Sequence, residues 1–324
     1  MSDNQTQSEG RWGSVVDECV ALWKNLPDKP VFFILIAGWL ALFQFFGNST
    51  LGYTNTHSIF AWLGWVYRIA GDDDIGRFMP LVVLGLVIWK RKALTETPKV
   101  RWWPGLVVLA GALLFHVLGY FVQQTRVSLL AFILGLYAIM GIVWGPRWLR
   151  AMFFPFILFV FCIPLSSEVD TVTLRMRLWA TTITTGICEV LGVNLIQSGT
   201  RIMDASGGFQ YEVAAACSGI RSLTATLTLA VIYSFVSFRG WGRRLLIIAS
   251  AFPLAILANV FRLSLIIIAA EAFGQSAGDY VHNSSWLSLL PYVPAFIGLA
   301  ALGRLLREDD GDRTIAGPGL QQPV

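Results

Sequence analysis

Three residues in the second half of the chain have side chains suited to acyl transfer: Cys217, Arg262 and His282. A free thiol ionises near pH 8.5 and becomes a strong nucleophile when a helix N-terminus or a neighbouring cation lowers that value to roughly 3.5–7.5. Cys217, in "EVAAACSGIR" (Glu212 to Arg221), stands at the expected mouth of an apolar helix, and Ser218 and Gly219 leave its approach uncrowded. Arg262 would supply a fixed positive charge able to donate to a developing oxyanion, and His282 a group that exchanges a proton near neutral pH. Taken singly, each has an ordinary explanation. A cysteine in an apolar helix usually packs, a histidine in a polar loop is usually solvated, and an arginine near a span end can snorkel. Arg262 is the hardest to dismiss, because a charge inside a span costs about 2.5–3.5 kcal/mol on insertion scales and generally faces a partner or a watery cavity.

Other polar residues stand at supporting distances. Asn259 precedes Arg262 by one helical turn and Arg221 follows Cys217 by one, so each pair shares a helix face. Asn259 is placed to orient the guanidinium, and Arg221 to deepen the positive field or to pair with Glu212 or Asp204. Both serve equally well as hydrogen-bonding glue between helices. His57 and His116 are weaker candidates, His116 being mid-span and suited to bonding a neighbouring helix. Four cysteines, Cys19, Cys162, Cys188 and Cys217, show no CxxC or Cys/His spacing, so neither a metal nor a cofactor is expected.

The elements that must position these groups are membrane helices. Hydrophobic residues make up 55% of the chain and charged ones 14%, outside the range of a soluble domain. The net charge of +4 comes from basic residues scattered beside apolar runs, which argues for membrane topology and against nucleic acid. The expected fold is all-α and polytopic, with about eight transmembrane helices, preceded by a cytoplasmic segment over 1–30 and followed by a disordered cytoplasmic tail over 307–324. Spans are expected at Val31–Phe46, Ile75–Trp89, Pro104–Val122, Val127–Trp144, Ala151–Leu165, Cys217–Phe238, Leu245–Phe273 and Trp286–Leu306. Residues 54–70 suit an interfacial or re-entrant helix. The first span reads as an uncleaved anchor, since no signal peptidase pattern precedes it.

Between the fifth and sixth spans lies an external loop, 166–216, with an amphipathic helix around "TVTLRMRLWATTITTGICEVLG" and a β-hairpin turning on Ser206-Gly207-Gly208. Placing Lys90 to Lys92, Arg147, Arg150, Arg239, Arg243, Arg244, Arg304 and Arg307 on the cytoplasmic side puts both termini there too. Cys217, the outer part of the seventh span and His282 then share the external face. Three groups far apart in sequence reach one level.

In that order and placement, "ACSGIRSL" (Ala216 to Leu223), "NVFR" (Asn259 to Arg262) and the histidine of "VHNSSW" resemble the exosortase/archaeosortase family of membrane proteins. The resemblance is strongest over 199–286 and otherwise extends only to the succession of spans in a single domain, 31–306. It implies a cysteine transpeptidase of a bacterial cytoplasmic (inner) membrane, with Cys217 as nucleophile, Arg262 and His282 as catalytic partners, and the site on the periplasmic side. The implied substrates are membrane-tethered secreted proteins whose C-terminal sorting signal is a Pro-Glu-Pro-type motif, a transmembrane helix and a basic tail. The acyl-enzyme would pass to a surface acceptor, a glycan or a lipid. Two features depart from the family pattern: "SSW" stands where a glycine often follows the histidine, and no periplasmic domain follows the last span. Hydrolysis and transfer share the same acyl-enzyme and stay open. The rival from another class is a non-enzymatic component of exopolysaccharide assembly or export, in which Arg262 and the arginine-lined loop bind an anionic lipid-linked sugar.

Overall fold

Hydrocarbon offers backbone N–H and C=O groups no water, so apolar runs of this length close their hydrogen bonds internally as helices. A computed structural model describes residues 15–50, 54–69, 71–165, 170–212, 220–284, 290 and 292–306. Its helices fall into two compact units, residues 1–165 and 166–324.

The first unit holds α1 (15–24), α2 (Lys29–Phe46), α3 (Ile59–Ile69), α4 (Met79–Trp89), α5 (Arg91–Glu96), α6 (Gly105–Phe121), α7 (Thr125–Trp144) and α8 (Pro146–Ile157). Helices α6 and α7 form an antiparallel hairpin over a turn in which Gln123 takes a left-handed φ of 56°. Helix α7 carries the core of this unit. Its Ile139, Ala131 and Leu129 pack with Trp39 and Phe43 of α2, while Met140, Val143 and Trp144 pack with Trp148 and Met152 of α8. A polar node fixes the end of α2: Asn48, fully buried, donates through Nδ2 to Thr54 Oγ1 and the Thr56 carbonyl, and its Oδ1 accepts from Thr125 Oγ1. The expected interfacial piece at 54–70 is helical as α3. The expected fifth span is broken: α8 stops at Ile157 and a 3₁₀ turn, Leu158–Cys162, follows. Pro155 lies inside α8 and withholds an N–H from the ladder, which explains the change of helix type so close behind it.

The second unit comprises α9 (Asp170–Val190), strands β1 (Leu195–Ser198), β2 (Arg201–Asp204) and β3 (Gln210–Glu212), then α10 (Ile220–Ser237), α11 (Trp241–Phe273), α12 (Gln275–Asn283) and α13 (Tyr292–Leu305). The expected hairpin about Ser206-Gly207-Gly208 is β2–β3. A further strand, β1, pairs antiparallel with β2, Ile196 opposite Met203, through a turn at Gly199 (φ 63°), which makes a three-stranded meander. Its inner face, Leu195, Ile202 and Phe209, packs on Ala180 and Cys188 of α9 and on Val260, Leu263, Ile267 and Ala270 of α11. The amphipathic helix α9 runs lengthwise and parallel beside α11. Trp179 meets Phe252 at 6.3 Å between ring centroids, and further along both helices Thr184 Oγ1 donates to the Val260 carbonyl at 3.5 Å.

Among the described residues, three helices are long and apolar enough to cross a membrane: Lys29–Phe46, Thr125–Trp144 and Trp241–Phe273. Shorter apolar helices lie at Ile59–Ile69, Ile75–Trp89, Gly105–Phe121, Ser222–Ser237 and Tyr292–Leu305. The chain is thus an integral membrane protein, mostly helical, with one small sheet among its described residues.

Close approach of α2 to α7 depends on Gly135. A Cβ there would overlap the Trp39 indole, whose Nε1 donates to the Phe132 carbonyl at 3.0 Å. Gly111 of α6 has nothing within 4 Å of its own would-be Cβ. Gly135→Val is expected to lower the melting temperature of the detergent-solubilised protein, at an overpacking cost of about 1–3 kcal/mol, while Gly111→Val leaves it unchanged. Equal melting temperatures for both variants would contradict the packing described.

Candidate active site

Helices α10 and α11 form an antiparallel hairpin across the short turn 238–240. Arg244 of α11 holds that turn, donating from Nε to the Phe238 carbonyl at 2.8 Å while its guanidinium lies 4.5 Å from the centre of the Phe235 ring. Equal rise along two paired helices sets what meets at the far end. From Ser237 back to Ile220, and from Trp241 on to Asn259, the chain climbs about 26 Å and about 27 Å at 1.5 Å per residue. The first residue of α10 is therefore level with Asn259, one turn short of Arg262. Cys217 precedes Ile220 by three residues in sequence, and both Cys217 and Ser218 lie outside the described residues.

At its other end α11 stops at Phe273, where Gly274 (φ 87°) lets the chain reverse and its N–H bonds the Ala270 carbonyl at 2.8 Å. Helix α12 then runs back along α11: Gly278 lies against Ala270, and eight residues earlier in α11, Arg262 reaches His282. The polar stretch after the seventh span, read from sequence as a loop, is thus a helix through Asn283. Its return brings two of the three expected groups together. Arg262 Nη2 donates to the backbone carbonyl of His282 at 3.4 Å, and His282 Nδ1 is 3.1 Å from the Asn283 side-chain oxygen.

The guanidinium is only partly spent by that bond. Its Nε is buried and has no hydrogen-bond partner among the described residues, an expensive state for a charged donor and one that a bound anion or oxyanion would relieve. Asn259 is buried at 3% exposure one turn away, on the same face. Arg221 lies in the first turn of α10. Asp204, weighed from sequence as its partner, is occupied by its own turn: its carboxylate accepts from Ser206 Oγ, from the Ser206 N–H at 3.2 Å and from the Gly208 N–H at 2.9 Å.

The remaining candidates take ordinary roles. His116 bonds Ser128 of α7 at 3.1 Å and stacks on Phe43, and His57 is exposed. Cys162 and Cys188 are buried in packing, and Cys19 lies on α1.

Two residues that sequence reasoning passed over join the site, Tyr211 from the sheet and Asp279 from α12. Tyr211, central in β3, donates from its hydroxyl to the Gln275 carbonyl at 2.9 Å, and the Asp279 carboxylate shares that hydroxyl. Burial, and then the Asp279 charge and hydrogen bond, push the phenol up to about 12. The available signal was the alternation of "GFQYEV", which places Tyr211 on the face of β3 opposite Gln210 and Glu212.

A protein-family model described as a transmembrane exosortase matches residues 65–293. No curated protein and no solved structure matches the chain.

The Asp204 turn carries a sign-definite pH dependence. Its hydrogen bonds, led by that from Ser206 Oγ, hold the Asp204 carboxyl below the usual value of 3.8. The stability it contributes is therefore present above that value and is lost as the pH falls through the lower folded one. Exchange protection at the Ser206 and Gly208 amides, corrected for intrinsic rate, is expected to fall below about pH 3.8 in the natural chain and to show no such step in Asp204→Asn. A step retained in Asp204→Asn would assign it to another group.

Proposed function

The chain belongs to the transmembrane exosortase family, and from that premise we propose that it is a cysteine transpeptidase that cleaves C-terminal sorting signals at the outer face of a bacterial inner membrane. The observation that supports this most is the return of α12 along α11. It sets His282 against Arg262 at the end of the bundle where α10, and hence the chain three residues after Cys217, begins.

The chemistry runs in two halves. The Cys217 thiolate adds to the scissile carbonyl, and the negative charge that develops on oxygen meets the Arg262 guanidinium, whose buried Nε has a donor to give. As the tetrahedral intermediate collapses, the C–N bond breaks and His282, as imidazolium, protonates the departing amine. The thioester is then attacked by the acceptor's nucleophile, which loses its proton to the now neutral His282, and the thiolate is released. Water in the acceptor's place gives hydrolysis by the same steps.

The proposed substrates carry a Pro-Glu-Pro-type motif, a transmembrane helix and a basic tail. Tethering by that helix confines them to the plane of the enzyme, so local concentration replaces tight binding. The proposed topology has eight spans with both termini cytoplasmic, which keeps the clustered arginines on one side.

The Nε of Arg262, without a partner among the described residues, also favours a second reading, a non-enzymatic component of exopolysaccharide assembly that binds an anionic lipid-linked sugar there. The two readings separate cleanly. With a co-expressed reporter ending in Pro-Glu-Pro, a transmembrane helix and a basic tail, intact mass is expected to show tail loss with the natural enzyme and none with Cys217→Ala. Added mass on the new C-terminus identifies transfer. A reporter left uncut by the natural protein and by Cys217→Ala alike, with exopolysaccharide export impaired in Arg262→Leu and normal in Cys217→Ala, would sink the enzymatic reading and favour the second.

A further inference from the structure

The strand that leads towards Cys217 and the helix that carries His282 are fastened to each other at one point. Tyr211 lies six residues before Cys217 and donates to the Gln275 carbonyl at 2.9 Å, and Asp279, one turn before His282, shares its hydroxyl. Gly278 sits directly beneath the ring: a Cβ there would overlap the Tyr211 hydroxyl, lie 2.9 Å from Cζ and 3.0 Å from the Ala270 side chain. No L side chain fits without moving the tyrosine or α12. The ring is also held from behind, since Phe209 lies 5.9 Å away and Tyr211 packs at the margin of the core formed by Ile202, Leu263 and Ile267. The contact is therefore fixed on both sides, by the sheet and by α11.

We propose that Tyr211, Gly278 and Asp279 form a positioning latch that fixes how α12, and with it His282, lies against β3. The latch rests on the cysteine transpeptidase reading above. Helix α12 is only nine residues long, joins α11 through the hinge at Gly274 and lies along α11, so the tyrosine contact on its other flank sets how it tilts there. From Gln275 to His282 is about 10 Å along the helix, short enough that a small tilt at the tyrosine moves the imidazole by a comparable amount. Tyr211 and Asp279 touch neither substrate nor reacting atoms in this account. They act through the placement of His282, and a misplacement of about 1 Å can cost up to a hundredfold in rate.

The experiment is disulfide trapping of His282→Cys against the native Cys217 in membranes, with copper phenanthroline as oxidant and the linked 217–282 peptide read by mass. It is run on the full chain with Tyr211 intact, with Tyr211→Phe and with Gly278→Ala. In parallel, kcat and KM of reporter cleavage are measured for the two latch variants with His282 restored. Cross-linking is expected with Tyr211 intact and is expected to fall several-fold in both variants, with kcat about tenfold lower and KM within about twofold. A variant that loses monodispersity in detergent is replaced by Asp279→Asn, which keeps the side chain's size and removes its charge. Unchanged cross-linking in the variants overturns the latch and leaves the Cys217–His282 pairing standing, and so does reduced cross-linking with unchanged kcat. Absence of the cross-link with Tyr211 intact overturns the pairing itself and the latch with it.

Discussion

Helix α11 is too long for the solvent it crosses, and the second unit is arranged around that surplus. Thirty-three residues make a rod of about 50 Å against a hydrocarbon thickness of about 30 Å. Absorbing the difference by tilt alone would need about 53°, beyond the 0–40° that membrane helices adopt, so turns of α11 must protrude. Arg243 and Arg244 begin the rod, and Arg262 stands about 32 Å from Trp241, past one hydrocarbon thickness. A guanidinium that would be costly at mid-membrane is tolerable there. The last three turns of α11 then offer a wall on which α12 and the sheet can pack, and the inner residues of the sheet do contact Val260, Leu263, Ile267 and Ala270.

Lipid cannot drive helices together by the hydrophobic effect, so the helices of this unit meet through small and hydroxylated residues. Thr181 and Thr184 of α9 are fully buried, as are Ala251, Ala255 and Ala258 of α11. Thr184 reaches the Val260 carbonyl across the interface, one residue from the buried Asn259. Gly303 of α13 admits the Tyr233 hydroxyl where a Cβ would block it. Such contacts hold the helices at fixed levels, and level is what brings separated side chains into one plane.

Much of this was legible from hydropathy and charge. The apolar runs that become α2, α6, α7, α10, α11 and α13 are continuous, and Lys90, Arg147 and Arg239 mark where runs end. Arg262 could be singled out because its cost in a span is high. What escaped notice had tertiary causes. Helix α12 is polar, "QSAGDYVHN", and its helicity is settled by the Gly274 reversal and by docking on α11, neither of which hydropathy reports. Helix α9 carries too many threonines and arginines to look like a bundle member, because threonines are among the residues it buries beside Ala180 and Cys188. Strand β1 is four residues long and depends on a partner six positions away. Tyr211 is one tyrosine among eight until the fold sets it against Gly278.

The reversal at Gly274 has a consequence in time as well as in space. The groups of the proposed site leave the ribosome in the order Cys217, Arg262, His282, and at 5–20 residues per second the last follows the first by roughly 3–13 s. Until α11 has inserted and the chain has turned at Gly274, the cysteine segment has no histidine to work with, however early it reaches its final compartment. On the proposed mechanism the thiol is thereby kept idle by the order of its own synthesis, and competence arrives only with α12.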